Sequence, residues 1–363
     1  MESPALTLHT DPESPETDVV FFRTDGLWYY DSALAQERQI VANTSESERR
    51  VPGSLTWSPD AEHVAYLTYR EEDEGNGQWA NVTIVELATG VTTQLTAVPI
   101  FIPGGLAWSL AGTELYAIGA LKNGEETEWG LYAFSLTPET APEVLLTERR
   151  SGAGLSGPVQ VTPEGHIRYV HFEPRKIAIR ELHPRGGEVK TVALVPGTSV
   201  SPFAISHRTL PGDARVLYLL STMRTGWEVR QGLHYTEAEA SQHLLFLEEG
   251  CGLEAGLGLD RWVALGCGAA ESNPLVICDI AAESCQQLHT PLRESLLPLL
   301  NPEALPFSTL KFTPIAWRAE QLYFTAHLLG PDISDLGGLF RYDTQTGEGV
   351  PLLFKLEEAL LAP

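Results

Sequence analysis

The stretches "LTWSPDAEHVAY" (residues 55–66) and "LAWSLAGTELYA" (residues 106–117) carry the same pattern twice, about fifty residues apart. Each runs apolar, then Trp-Ser, then a polar turn, then apolar again. Recurrence at a period of roughly 20–50 residues marks a repeat architecture: one supersecondary unit cannot bury its apolar face alone, so it stacks on its neighbours.

A second signature recurs as "GLWYYD" (26–31), "GLYAFS" (130–135) and "GLFRYD" (338–343), each reading as a strand entered through Gly-Leu. "NVTIVELATG" (81–90) and "PLVICDIAAE" (274–283) take the same place in their own units. The full unit is strand, polar turn, strand, variable loop, strand, turn, strand. Such units span 18–50, 53–99, 102–150, 157–196, 201–249, 252–292 and 307–354, seven in all. The first turn reads "SPDAEH", "SLAGTE" and "TPEGH" in the second to fourth units, with Pro, Asp and Gly where a tight turn needs them. Strands such as "HVAYLTY" and "RVLYLL" are rich in aromatic and β-branched residues. Helical signals are confined to "PLRESLLPLLNPEAL" (291–305) and the C-terminal "FKLEEALLAP".

Four antiparallel strands repeated with a turn signal between them predict an all-β β-propeller of four-stranded antiparallel blades, seven in number, with six as the alternative. Trp57, Trp108 and Trp317 then pack one blade on the next. The innermost strand of the first blade comes either from "ALTLH" (5–9) or from the C-terminal residues. The expected organisation is a polar N-terminal linker over 1–17, one propeller domain over 18–355 and a C-terminal tail over 356–363.

The run "LTWSPDAEHVAYLTY…VTIVELATGVTTQLT" resembles the WD40-like (PD40) repeat of TolB-type propellers: Trp-Ser-Pro-Asp-Gly, an apolar strand, a second apolar strand ending Asp-x-x-Thr-Gly, and a Leu-Thr close. Ala61 replaces the Gly of that pattern, and Leu110-Ala111 replace Pro-Asp in the third unit. Thr162-Pro163-Glu164-Gly165 and Asp343-Thr344-Gln345-Thr346-Gly347 keep parts of it, whereas the fifth and sixth units keep only the strand pattern. TolB-like propellers commonly serve as protein-interaction platforms. The resemblance therefore implies a bacterial, non-catalytic binding or scaffold module without a cofactor.

Charge narrows the partners. The 363 residues sum to a formal charge of −24, which repels phosphate backbones and disfavours nucleic acid. No apolar run approaches the roughly 18 residues of a membrane helix. "MESPALTLHTDPESPET" is rich in Pro, Glu, Ser and Thr and lacks the charged and apolar regions of a leader. Either the protein is cytoplasmic, or the sequence begins after a removed leader; a polar tether before a compact body suits an extracytoplasmic protein, periplasmic or secreted. Cys251, Cys267, Cys278 and Cys285 are separated by 16, 11 and 7 residues. Without a CxxC pair a zinc ribbon is excluded. Two disulfides within one blade are the reading, Cys278 with Cys285 and Cys251 with Cys267, set against buried free thiols.

Catalytic signatures are missing from the sequence. "GAGLSGP" (152–158) fails the GxSxG spacing, "GLGLDR" (256–261) lacks the third Gly of a dinucleotide loop, and neither GxxxxGK[ST] nor HExxH occurs. The innermost strands supply only Gln160, Glu254 and Lys311 as strongly polar groups, too few for a metal site in the channel. The candidate site is on the loops. "REEDEGNGQW" (70–79) carries Glu71, Glu72, Asp73 and Glu74 before Trp79; "LKNGEETEW" (121–129) carries Glu125, Glu126 and Glu128 before Trp129; "MRTGW" (223–227) ends in Trp227 without the acids. Large aromatics beside exposed charge fit a protein interface, here with a basic partner or a weakly held divalent cation. The competing reading is that the Trp side chains cover blade edges and the charges are solvated. A propeller hydrolase or lyase with a loop-assembled site, and a glycan or small-ligand sensor, stand as alternatives.

Overall fold

The computed structural model describes residues 7–9, 11–43, 48–51, 53–70, 79–96, 99–102, 105–123, 126–138, 140–148, 154–173, 176–196, 204–209, 216–221, 232–236, 243–246, 252–259, 262–268, 275–279, 284–287, 296, 299–300, 309–329 and 337–363. They are almost entirely strand, joined by turns; Leu296, Leu299 and Leu300 have helical backbone, within the stretch whose sequence reads as helix. Contacts divide the chain into two compact units. The first holds residues 1–43, 210–235 and 243–362; the second holds 44–209 and 236–242 with Pro363.

The duplicated sequence lies in the second unit and folds as the pattern dictates. Strand Thr56–Trp57 pairs antiparallel with His63–Arg70, and Ala107–Trp108 with Glu114–Asn123. The turn between the strands is built the same way each time. The Ser58 N–H donates to the His63 carbonyl (2.9 Å), Ser109 to Glu114 (2.8 Å) and Thr162 to His166 (2.9 Å). Each hydroxyl then accepts an N–H from across the turn, from His63 (2.9 Å), Glu114 (3.1 Å) and His166 (3.2 Å). A Ser or Thr at this place therefore satisfies a backbone donor that the tight turn would otherwise strand. The turn also requires a left-handed residue, supplied by Gly112 (φ 67°), Gly165 (φ 83°) and, against the usual preference, Ala61 (φ 58°).

Trp57 and Trp108 are buried, and the Trp108 indole Nε1 donates to the Thr56 carbonyl of the preceding repeat at 3.4 Å. Leu67, Val82, Ile100, Leu115 and Tyr132 share one core with Trp108. The fourth repeat is a four-stranded antiparallel meander, Gly154–Val161, Ile167–Glu173, Lys176–Leu182 and Lys190–Pro196.

The first unit contains two further meanders. One runs Gly252–Leu259, Trp262–Gly268, Leu275–Asp279, Ser284–Gln287; the other runs Thr309–Arg318, Gln321–Leu329, Gly337–Asp343, Glu348–Phe354. Trp317 is buried in a core with Phe312, Phe324 and Phe340.

Both chain ends depart from expectation. Residues 356–363 read as a tail with helical composition, yet Glu358–Leu361 is a strand, antiparallel to Val19–Arg23 and forming a sheet with Gly26–Asp31 and Gln36–Ala42. The cause is burial: Val19, Val20 and Phe21 are fully enclosed, so their strand cannot leave an edge of backbone polar groups unpaired, and tertiary pairing overrides local propensity. Of the two candidates for the missing strand, the C-terminal residues fill the place. The N-terminal segment, read as a linker, pairs Thr7–Leu8 in parallel with Glu348 and Gly349 as the fifth strand of the last meander.

Candidate binding surface

Trp79 opens strand Trp79–Glu86, and Trp129 lies within Glu126–Ser135; both are half-buried. They are joined by a residue that the sequence pattern did not single out. Strand Ile100–Phe101, in the link between the second and third repeats, pairs antiparallel with Trp79–Glu86 on one side and Glu114–Asn123 on the other. Two four-stranded sets thereby become parts of one ten-stranded sheet. Ile100 and Ile102 are buried, so strand alternation turns Phe101, itself half-buried, to the opposite face.

In register the row reads Trp79, Phe101, Ala120, Trp129. The Phe101 ring is 6.3 Å from Trp79 and meets Trp129 edge-on at 5.6 Å. Phe101 and Trp129 are two strands apart, and their rings meet because the residue between them is Ala120. Gly119 is equally necessary, since a Cβ there would lie 2.4 Å from the Phe101 carbonyl oxygen. Edge-on and tilted pairs at these distances are the favoured aromatic geometries, so the three rings support one another. The only sequence signal was the apolar triplet Ile100-Phe101-Ile102 between two prolines in the link "VPIFIPGG" (98–105), which is easily passed over as loop.

Around the row, Glu128 is exposed, and its carbonyl accepts the Tyr132 hydroxyl at 2.7 Å. Burial, reinforced by the Glu128 charge, pushes the Tyr132 phenol up to about 12, so it stays a donor at any physiological pH. Glu126 is the first residue of its strand, in register with Asn123. Glu71, Glu72, Asp73, Glu74, Glu125 and Trp227 lie outside the described residues. The structure therefore brings Trp79 and Trp129 together, through Phe101, in a single sheet.

Among the described residues, Asp60, Glu62 and His63 offer ligand atoms all within 4.8 Å of one another. Asp60 Oδ1 already accepts from the Ser58 hydroxyl and from the Glu62 N–H (3.0 Å), which holds its carboxyl below the usual range and commits it to the turn. Of the inner-strand polar residues, Gln160 and Lys311 are half-buried on separate strands in different units, and the Glu254 side chain lies outside the described residues. Cys278 and Cys285 face each other across adjacent strands, Cα atoms 4.0 Å apart, and form a disulfide. Cys251 and the Cys267 side chain lie outside the described residues. No helix among the described residues is long and apolar enough to cross a membrane.

No family model and no curated protein matches the sequence. Solved structures do share the fold. An oligogalacturonate lyase from Vibrio parahaemolyticus superposes with a TM-score of 0.57 at 12% identity, over 94% of this chain and 87% of that one. A prolyl endopeptidase gives 0.56 at 12% identity over 95% of this chain, which spans about half (49%) of the peptidase. TolB from Acinetobacter baumannii gives 0.50 at 13% identity, over 77% of this chain and 65% of TolB. At these identities the likeness is one of fold: this chain, like TolB and the lyase, is a β-propeller protein built of four-stranded antiparallel sheets.

Proposed function

We propose that the chain is a non-catalytic propeller module that presents an acidic, Trp-bearing face to a protein partner carrying basic residues; the Trp side chains sit on strands of one sheet rather than on loops. The observation that carries this reading is the row Trp79, Phe101 and Trp129, half-buried and brought together in one sheet. Large aromatics that keep part of their surface in water are among the side chains that anchor protein interfaces. Glu71, Glu72, Asp73 and Glu74 lie five to eight residues before Trp79, and Glu125, Glu126 and Glu128 one to four before Trp129, so the segments leading to both Trp residues are acidic, which favours Lys or Arg on the partner, or a weakly held divalent cation. Fold-sharing structures include both enzymes and TolB, and the charge of −24 disfavours a polyanion such as an oligogalacturonate as ligand here. The Cys278–Cys285 disulfide supports an oxidising, extracytoplasmic setting.

The test is affinity capture from the source organism with the full chain beside a variant carrying Glu71→Gln, Glu72→Gln, Asp73→Asn and Glu74→Gln. A partner captured by the first, released by added salt and lost from the second is the expected result. An identical captured set with both baits overturns the proposal.

A further inference from the structure

The turn of the second repeat brings two carboxylates and an imidazole together: Asp60, Glu62 and His63 offer ligand atoms all within 4.8 Å of one another. The turn itself does not need them. Its counterpart in the third repeat, residues 109–114, closes with the same Ser hydrogen bonds and a left-handed residue at the same place, yet carries Ala111, Thr113 and Glu114 at the three positions. The fourth-repeat turn, residues 162–166, closes alike with only one acid, Glu164, beside His166. The donor set is therefore an addition to the fold, confined to the second of these three turns.

Each member has an atom to give. The Ser58 hydroxyl and the Glu62 N–H both donate to Asp60 Oδ1, which aims the carboxylate and leaves Oδ2 outside those two bonds. Glu62 is exposed, so its carboxylate can rotate toward the others. His63 carries the observation that points to an ion. It is half-buried beside the Trp108 ring, 6.5 Å between centroids, and its Nδ1 is enclosed with no hydrogen-bond partner among the described residues. A buried polar atom is unfavourable in that condition unless a water or an ion satisfies it, and two neighbouring carboxylates select a cation.

We infer that this turn is a zinc site, in which Asp60, Glu62 and His63 each give one ligand and a water takes the fourth position. An imidazole among the donors suits Zn²⁺, whereas Mg²⁺ and Ca²⁺ take oxygen ligands. Ligand atoms on one zinc stand about 3.3–3.6 Å apart, from bonds of about 2.0–2.2 Å at tetrahedral angles, so the trio closes by no more than roughly 1.5 Å. The two carboxylates balance the charge of the ion. The site is also separate from the aromatic row: His63 pairs with Glu86, at the opposite end of strand Trp79–Glu86 from Trp79, about 23 Å along the strand. The zinc site and the binding face can therefore fail independently.

The test is calorimetric titration of zinc chloride into the chelator-stripped full chain and into His63→Gln and Glu62→Gln variants shown by circular dichroism to remain folded. Asp60 is left intact because its loss would also open the turn. The wild type should bind one zinc per chain at its tightest site, each variant should bind about tenfold or more weakly, and magnesium chloride should not compete. The chain has ten histidines, so His166→Gln serves as a control and should bind as the wild type does. Zinc should also raise the thermal midpoint of the wild type and not that of His63→Gln. Cobalt(II) in place of zinc gives an independent reading, a visible absorption band in the wild type that His63→Gln loses. No zinc binding by the wild type, or equal affinity in the wild type and His63→Gln, overturns the site. Weaker binding in Glu62→Gln with His63→Gln unchanged would mark a plain acidic patch and overturns it as well.

Discussion

Replacing His327 by Gln removes a proton acceptor that the fold holds neutral. His327 lies on strand Gln321–Leu329, in register with Lys311 on one side and Gly337 on the other. A Cβ at Gly337 would sit 2.3 Å from His327 Nδ1, so the ring occupies the space that glycine leaves. Burial first, and the Lys311 charge second, push the imidazole down from 6.5 to about 4. Between those values the unfolded chain takes up a proton that the folded chain refuses, so stability falls as the pH drops from 6.5 toward 4. Above 6.5 the penalty vanishes; below 4 it is complete, at about 3 kcal/mol. Single-site linkage puts roughly half of that penalty in place by pH 5.5 and most of it by pH 4.5. Other carboxylates titrate in the same window, so the informative quantity is the difference between wild type and His327→Gln. Urea unfolding of both at pH 7.5, 5.5 and 4.5 measures it, and the variant should gain on the wild type by these amounts as the pH falls. A gap that stays constant from pH 7.5 to 4.5 refutes the placement of a neutral, enclosed His327.

Deleting residues 356–363 strips the partner from Val19–Phe22, and thermal unfolding should shift sharply downward; an unchanged melting temperature would mean that the C-terminal strand closes nothing. Ala61→Gly relieves a left-handed alanine in the Ser58 turn and should stabilise by about 0.5–1 kcal/mol in denaturant titration, whereas a loss would show that the turn carries no strain. Reduction of Cys278–Cys285, closing a short loop of separation 7, should cost about 2–3 kcal/mol by the loop-entropy estimate, and non-reducing peptide mapping of natively isolated protein should recover the linked pair rather than free thiols.

The turn was the most legible part of the fold. Ser58, Ser109 and Thr162 recur because each supplies the same local hydrogen bond, and local chemistry leaves a local sequence trace. What stayed open or hidden depends on pairing across the chain. The sequence left two candidates for the innermost strand of the first sheet, and Glu358–Leu361, despite a helix-compatible composition, takes that place because Val19–Phe22, more than 300 residues earlier, is buried and needs a partner. Phe101 reads as loop until Gly119 and Ala120 are seen to leave room for its backbone and its ring. The N-terminal segment reads as linker because its composition is that of one; Arg341, which donates to Glu13 and Glu16, is more than 320 residues away. In the candidate surface, Trp79 and Trp129 were visible as aromatics ending acidic loops, whereas their coupling through Phe101 belongs to sheet register.

The binding face itself is tested most directly by the dissociation constant of the captured partner, measured against salt concentration, for the wild type and for Trp79→Ala/Trp129→Ala protein shown by circular dichroism to remain folded. Truncating one aromatic anchor at an interface costs about 2 kcal/mol, or roughly 30-fold, so the double variant should bind at least that much more weakly and up to about 1,000-fold if the two add, while the acid-neutralised variant should show a flatter salt dependence. Unchanged affinity in the Trp variant, together with an unchanged salt slope in the acid variant, would contradict the account and move the function to another surface of the chain.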